Sequence, residues 1–163
     1  MRPQATAPSP HSADTPHPAA APTVVLDTNA VLDWLVFADP RIAPLAEAIS
    51  CGHLCWLAVP HMRGELADVL ARPALARFGN RLGQALAAFD QRARICPDPP
   101  SIDAGLVCQD PDDQVFLDLA LAEGASWLVT RDKALLALHR PARARLLSIV
   151  VPEAWPAARA PCA

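Results

Sequence analysis

The feature that most constrains this chain is Val24-Val25-Leu26-Asp27-Thr28-Asn29. Three apolar residues, two of them β-branched, read as a short strand buried on both faces. An acid stands where that strand should end, and two small hydrogen-bonding residues follow. In an open α/β sheet, ligands bind in the crevice beyond the carboxyl ends of the strands. A carboxylate there is well placed for chemistry and poorly placed for core packing.

The rest of the pattern alternates between strand and helix. Apolar spacing predicts helices over 31–37 and 42–49, a strand over 54–59, and a helix over 62–70 stopped by Pro73. A further helix follows over 82–89, then a proline-rich loop over 97–101. Asp110 and Pro111 open a helix running to Glu123, with Gly124 at its end. Strands over 127–130 and 146–151 flank a short helix over 132–138. Alternation of this kind calls for a parallel sheet covered by helices on both faces.

The length of 163 residues suits one domain, and an apolar share of 52% supplies a sizeable core. Residues 1–22 are rich in Pro, Ala, Ser and Thr without hydrophobic periodicity, and read as a disordered tail. Residues 23–155 form the folded unit, and 156–163 a flexible C-terminus. The net charge is −3 and no basic run resembles a nucleic-acid tail, although the positive charge is thirteen Arg and a single Lys. Five cysteines without a C-x-x-C pair read as a reduced, cytoplasmic chain. No apolar run approaches the ~18 residues of a membrane span. The Cys51-Gly52-His53-Leu54-Cys55 segment has metal-binding residue types but no second ligand pair, which argues against zinc.

Four acids are placed to meet. Asp27 ends the first strand, with an N-cap as its ordinary alternative role. Glu65 lies at the edge of an apolar helical stripe that includes Met62 and Val69, while Asp68 points further towards water. Asp113 aligns with Phe116, Leu117 and Ala120, where a charge is costly without a partner. Asp112 and Asp118 fall on other faces. Asp132, in Thr130-Arg131-Asp132, repeats the design of Asp27 at the end of a later strand. Four clustered carboxylates repel one another, and a divalent cation removes that cost. Oxygen ligands without nearby His or Cys suit Mg²⁺ or Mn²⁺, which can activate water against a phosphodiester.

At this point the chain resembles the PIN-domain ribonucleases, in particular the branch that supplies toxin components of bacterial toxin–antitoxin systems. The likeness is carried by Val25-Leu26-Asp27-Thr28-Asn29, by Glu65-Leu66-Ala67-Asp68-Val69-Leu70, by Cys108-Gln109-Asp110-Pro111-Asp112-Asp113 with Phe116, Leu117 and Ala120, and by Leu128-Val129-Thr130-Arg131-Asp132. The resemblance implies a three-layer α/β/α sandwich with a central parallel sheet. It also implies an Mg²⁺- or Mn²⁺-dependent endoribonuclease whose metal-binding acids are Asp27, Glu65, Asp113 and Asp132. Asp112 could replace Asp113 if the helix starts one residue differently, and Asp110 could join as an outer ligand. Thr28, Asn29 and Thr130 would position the acids or water. The implied partners are an RNA substrate, a cognate antitoxin protein and a second copy in a homodimer.

Arg63, Arg72, Arg131 and Lys133 lie near the acidic motifs in sequence and are candidates for phosphate contacts. The alternative function is a catalytically inactive PIN-like module that binds protein or RNA. A receiver-like or dehalogenase-like phosphotransfer site is disfavoured. The strand over 54–59 ends in Pro60 without an acid, and Asn29 stands where a second Asp would be needed.

Overall fold

The computed structural model of the chain describes residues 21–99 and 105–156. The expected tails, apart from Ala21, Pro22 and Pro156, and part of the proline-rich loop lie outside these residues. Strand β1 (Thr23–Leu26) leads through Asp27 into helix α1 (Thr28–Leu35). A 3₁₀ turn at Pro40–Ile42 precedes α2 (Ala43–Ser50), β2 (Cys55–Ala58) and α3 (Pro60–Leu70). A second 3₁₀ segment at Pro73–Phe78 precedes α4 (Asn80–Arg92) and β3 (Ala93–Ile95). Beyond a 3₁₀ turn at Pro111–Asp113 come α5 (Gln114–Ala122), β4 (Trp127–Val129), α6 (Lys133–Leu136), α7 (His139–Arg143) and β5 (Ser148–Val150).

Local chemistry explains most of these boundaries. Pro60 sits in the first turn of α3, where its missing N–H costs nothing. Gly124 follows α5 with φ +60°, a conformation that stops the helix and that a side chain would resist. Helix α5 buries five consecutive residues, Phe116–Ala120, because it lies against both β1 and β4. A helix apolar on nearly all sides belongs in such a place.

The sheet is wholly parallel, with strand order β3-β2-β1-β4-β5. Right-handed crossovers put α1 to α4 on one face and α5 to α7 on the other, giving a three-layer α/β/α sandwich. Contacts agree: α1, α3 and α4 pack on one another, whereas α6 and α7 lie against β5. The chain moves outward from β1 to β3, then returns to β4 on the opposite side. The strand order therefore reverses between β1 and β4, and a crevice opens beyond their carboxyl ends. Under that crevice lies a core centred on Val24, Val25, Leu57, Leu117 and Leu128, all fully buried. Trp56 packs edge-on against Phe89 with ring centroids 4.9 Å apart.

Two features depart from expectation. Strand β3 was not foreseen, because Arg94 and Ile95 face solvent on a sheet edge and produce no buried pattern. The segment after Pro152 is less peripheral than expected, since Trp155 is buried and meets Trp127 edge-on at 5.9 Å. Among the described residues, Cys55, Cys96 and Cys108 are free thiols. No helix among the described residues is long and apolar enough to cross a membrane.

Candidate active site

The first wall of the crevice is built where β1 and β4 end side by side. The ladder runs one residue past each strand: the Asp27 N–H donates to Val129 O at 3.1 Å, and the Thr130 N–H to Val150 O at 2.9 Å. This sets Asp27 and Thr130 next to each other, and both are buried. The Thr130 hydroxyl donates to Asp27 Oδ2 and accepts the Asp132 N–H at 2.8 Å. Asp27 Oδ1 accepts the Ala30 N–H at 2.7 Å, so the residue does cap α1 while facing the crevice. Asp132 caps α6 in the same manner, its Oδ1 accepting from Ala134 at 2.6 Å and Leu135 at 3.2 Å. Capping and site-building are therefore the same act at both strand ends.

The second wall comes from helices. Glu65 sits half-buried on α3, with Asp68 exposed beyond it, as the helical wheel requires. Asp113 ends the 3₁₀ turn at Pro111–Asp113 and stands at the start of α5. It is half-buried rather than central to the apolar stripe, because the tighter 3₁₀ turn rotates it out of register with Phe116 and Ala120. Asp110 caps that turn, accepting the Asp112 N–H at 3.0 Å, and Pro111 takes its first position.

A cavity of about 380 Å³ joins the two walls, lined by Asp27, Thr28, Asn29, Glu65, Arg72 and Asp113 among others. Asp112 instead lines a neighbouring cavity with Asp68 and His61. Asp132 is not in the central lining and connects to it through Thr130.

Electrostatics links all four acids. Burial pushes the Asp27 carboxyl up; hydrogen bonds from Thr130, Ala30 and the Arg131 backbone pull it back, and the Asp132 charge adds to the rise. Asp113 is pushed up to about 7, first by burial and then by the charges of Asp132, Asp110, Asp27 and Glu65. Like charges thus converge on Asp113. The donor set suits a hard divalent ion: carboxylate oxygens only, with the side chains of Glu65 and Asp113 making no hydrogen bond among the described residues. Among those residues no group of three His, Cys, Asp or Glu side chains is already close enough to hold a metal.

The basic candidates divide. Arg63 forms a bidentate pair with Asp90, at 2.6 and 2.7 Å. Arg131 is held by Asp33 and Glu153 rather than free for a phosphate. Arg72 lines the cavity, and neither it nor Lys133 has an ion-pair partner among the described residues. Thr28 and Asn29 line the cavity without side-chain hydrogen bonds of their own among those residues.

Two roles were missed in the sequence. Gln114 accepts the Cys108 N–H at 2.6 Å and donates to Leu106 O at 3.2 Å, pinning the loop that carries Asp110 to Asp113. It also donates to Asp118 at 2.8 Å, which explains how Asp118 lies buried away from the crevice. Helical i, i+4 spacing of Gln and Asp was the available signal.

A profile of the PIN domain matches residues 23–134, more than half of the chain. The sequence finds no match among curated proteins. Among solved structures, the fold is similar to that of VapBC2 from Rickettsia felis bound to a DNA fragment from its promoter. That match has a TM-score of 0.52 at 16% identity, covering 78% of this chain and 96% of the other. A weaker match is PAE2754 from Pyrobaculum aerophilum, with a TM-score of 0.48 at 21% identity, covering 80% of this chain and 85% of the other. The family profile spans the opening strand, the acid-bearing helices and the turn after β4, so the chain belongs to the PIN-domain family, whose members are in general nucleases.

Proposed function

We propose that the protein is a divalent-metal-dependent endoribonuclease, the toxin of a toxin–antitoxin pair. The observation that carries this reading is the single cavity lined by Asp27, Glu65 and, above all, Asp113. Its carboxyl is driven up to about 7 by burial and by Asp132, Asp110, Asp27 and Glu65 around it. Natural folds avoid such repulsion unless something offsets it. Mg²⁺ or Mn²⁺ held by Asp27, Glu65, Asp113 and Asp132 would offset it, and would supply activation of water and neutralisation of charge on the phosphoryl oxygen.

The chain's own residues do the rest. Asp27 is fixed from both sides by Thr130 and Ala30, so its carboxylate needs no reorganisation. Asp113 gives up its proton as pH rises through about 7, so cation binding and deprotonation go together there. Arg72 stands at the cavity wall, where its guanidinium suits an RNA phosphate. The fold it shares with VapBC2 supports a protein antitoxin as partner, and the proposed RNA target would put its action in the cytoplasm.

A second reading, an inactive protein- or RNA-binding module, draws on the acids standing apart as they do. One experiment separates the two: incubation of a mixed RNA pool with purified protein and Mn²⁺ or Mg²⁺, against EDTA, beside Asp113→Asn. Metal-dependent cleavage lost in the variant supports the nuclease. No cleavage with either metal moves the weight to the binding module.

A further inference from the structure

Arg131 lies between the two residues that organise the β4 end of the crevice, Thr130 and Asp132, yet its side chain leaves the crevice. Its Nε donates to Asp33 Oδ2 of α1 at 2.6 Å. Its Nη1 lies 3.0 Å from Glu153, near the C-terminal end of the described chain. Asp39 approaches Nη2 at 3.8 Å and is itself held by Arg41 at 2.6 Å. The Arg131–Asp33 contact is largely removed from water, with side chains 25% and 14% exposed. The guanidinium therefore ties the turn after β4 to α1 on one side and to the segment after β5 on the other.

The turn that Arg131 belongs to serves the site directly. The Thr130 hydroxyl donates to Asp27 Oδ2 and accepts the Asp132 N–H at 2.8 Å. One side chain thus braces the Thr130–Asp132 turn, and through Thr130 that turn orients Asp27. The geometry points to Arg131 as a positioning residue of the nuclease site, acting through Asp27 and Asp132, and not as a phosphate-binding residue. The inference rests on the reading of those acids as metal ligands. It goes beyond that reading by assigning the ion-pair network at Asp33, Asp39 and Glu153 a part in the reaction.

A fork of five fixed donors suits this task, because one guanidinium reaches acids in three segments at once. A Lys offers a point charge and can hold only part of the network.

The test uses the full chain with Arg131→Ala, Arg131→Lys and Asp33→Asn; the last removes one strut without altering the turn. The first readout needs no metal: amide hydrogen exchange at Asp132 and Ala134, with Asp27 and Val25 as core controls. The brace predicts about tenfold faster exchange at Asp132 and Ala134 in Arg131→Ala and Asp33→Asn, with controls unchanged and partial recovery in Arg131→Lys. The second readout is Mn²⁺-dependent RNA cleavage. Misplaced acids lower kcat on the order of 10- to 100-fold and raise the Mn²⁺ concentration for half-maximal rate, with KM for RNA kept. Unchanged exchange in both variants overturns the inference. So does a raised KM with kcat preserved and a shallower salt dependence, the signature of a lost phosphate contact. If the wild type shows no metal-dependent cleavage, the nuclease reading fails by itself, and the exchange data still decide whether Arg131 holds the turn.

Discussion

The two walls of the crevice are built on opposite principles. At the β1–β4 wall, Asp27 and Asp132 are bound into hydrogen bonds with Thr130, Ala30, Ala134 and Leu135, and every bond starts from a strand end or a helix cap. At the helical wall, Glu65 and Asp113 carry no such bonds among the described residues, and Asp113 holds its proton up to about 7. The first wall is fixed by hydrogen bonds; the second lacks them among the described residues and is electrostatically unsettled. On the proposed reading, such a site has one pre-formed half and one half that would settle on binding a cation. That division fits the finding that no three ligand side chains among the described residues stand within metal-holding range.

The contrast breaks most sharply at Asp27. Asp27→Asn should abolish metal-dependent RNA cleavage while the protein stays folded, because an amide keeps the cap's oxygen acceptor but loses the charge. Circular dichroism beside a cleavage assay checks both halves of that statement. Next in size is Thr130→Val, which removes the hydroxyl between Asp27 and the Asp132 amide. A buried carboxylate oxygen then lacks its donor, and stability should fall by about 2 kcal/mol in urea unfolding. The matching change on the helical wall, Glu65→Gln, should leave stability almost unchanged while weakening the Mn²⁺ response.

Asp113 gives the pH dependence. Its folded-state pKa of about 7 lies above its unfolded value near 3.8, so the folded chain binds more protons between these limits. Stability without metal should therefore fall as pH rises from about 4 to about 7, and the lost part should return on adding Mn²⁺ at pH 8. Asp113→Asn should flatten that slope and raise the melting temperature of the metal-free protein at pH 8. The smallest effects belong to the basic residues. Arg72→Ala should weaken RNA binding and reduce the salt dependence by roughly one contact. Arg63→Ala, whose loss breaks only an exposed pair with Asp90, should change stability by less than about 1 kcal/mol and leave cleavage intact.

The same division explains what could be read in the sequence. The fixed wall was legible because it follows from local rules: an apolar run of strand length, an acid at its carboxyl end, and small polar residues behind it. Parallel strands buried on both faces write that pattern plainly, and it occurs at Asp27 and again at Asp132. Glu65 was legible from helical phase alone. Asp113 was legible as an acid near the apolar face, but its depth was not, since a 3₁₀ turn shifts the phase that the wheel assumes. Arg131 could not be understood from its neighbours. Its partner Asp33 lies 98 residues away, so its ion pair is a product of the topology. Strand β3 was hidden for a related reason: an edge strand with one neighbour buries little and needs no alternation.

The most direct test of the account is calorimetry of Mn²⁺ binding near pH 6.5, repeated in buffers with different ionisation enthalpies. If Glu65, Asp113, Asp27 and Asp132 form one cation site, binding must displace the proton that Asp113 retains there. The account predicts proton release on binding in the wild type, and its disappearance in Asp113→Asn together with much of the affinity. Mn²⁺ binding without proton release, or binding indifferent to Asp113→Asn, would contradict it.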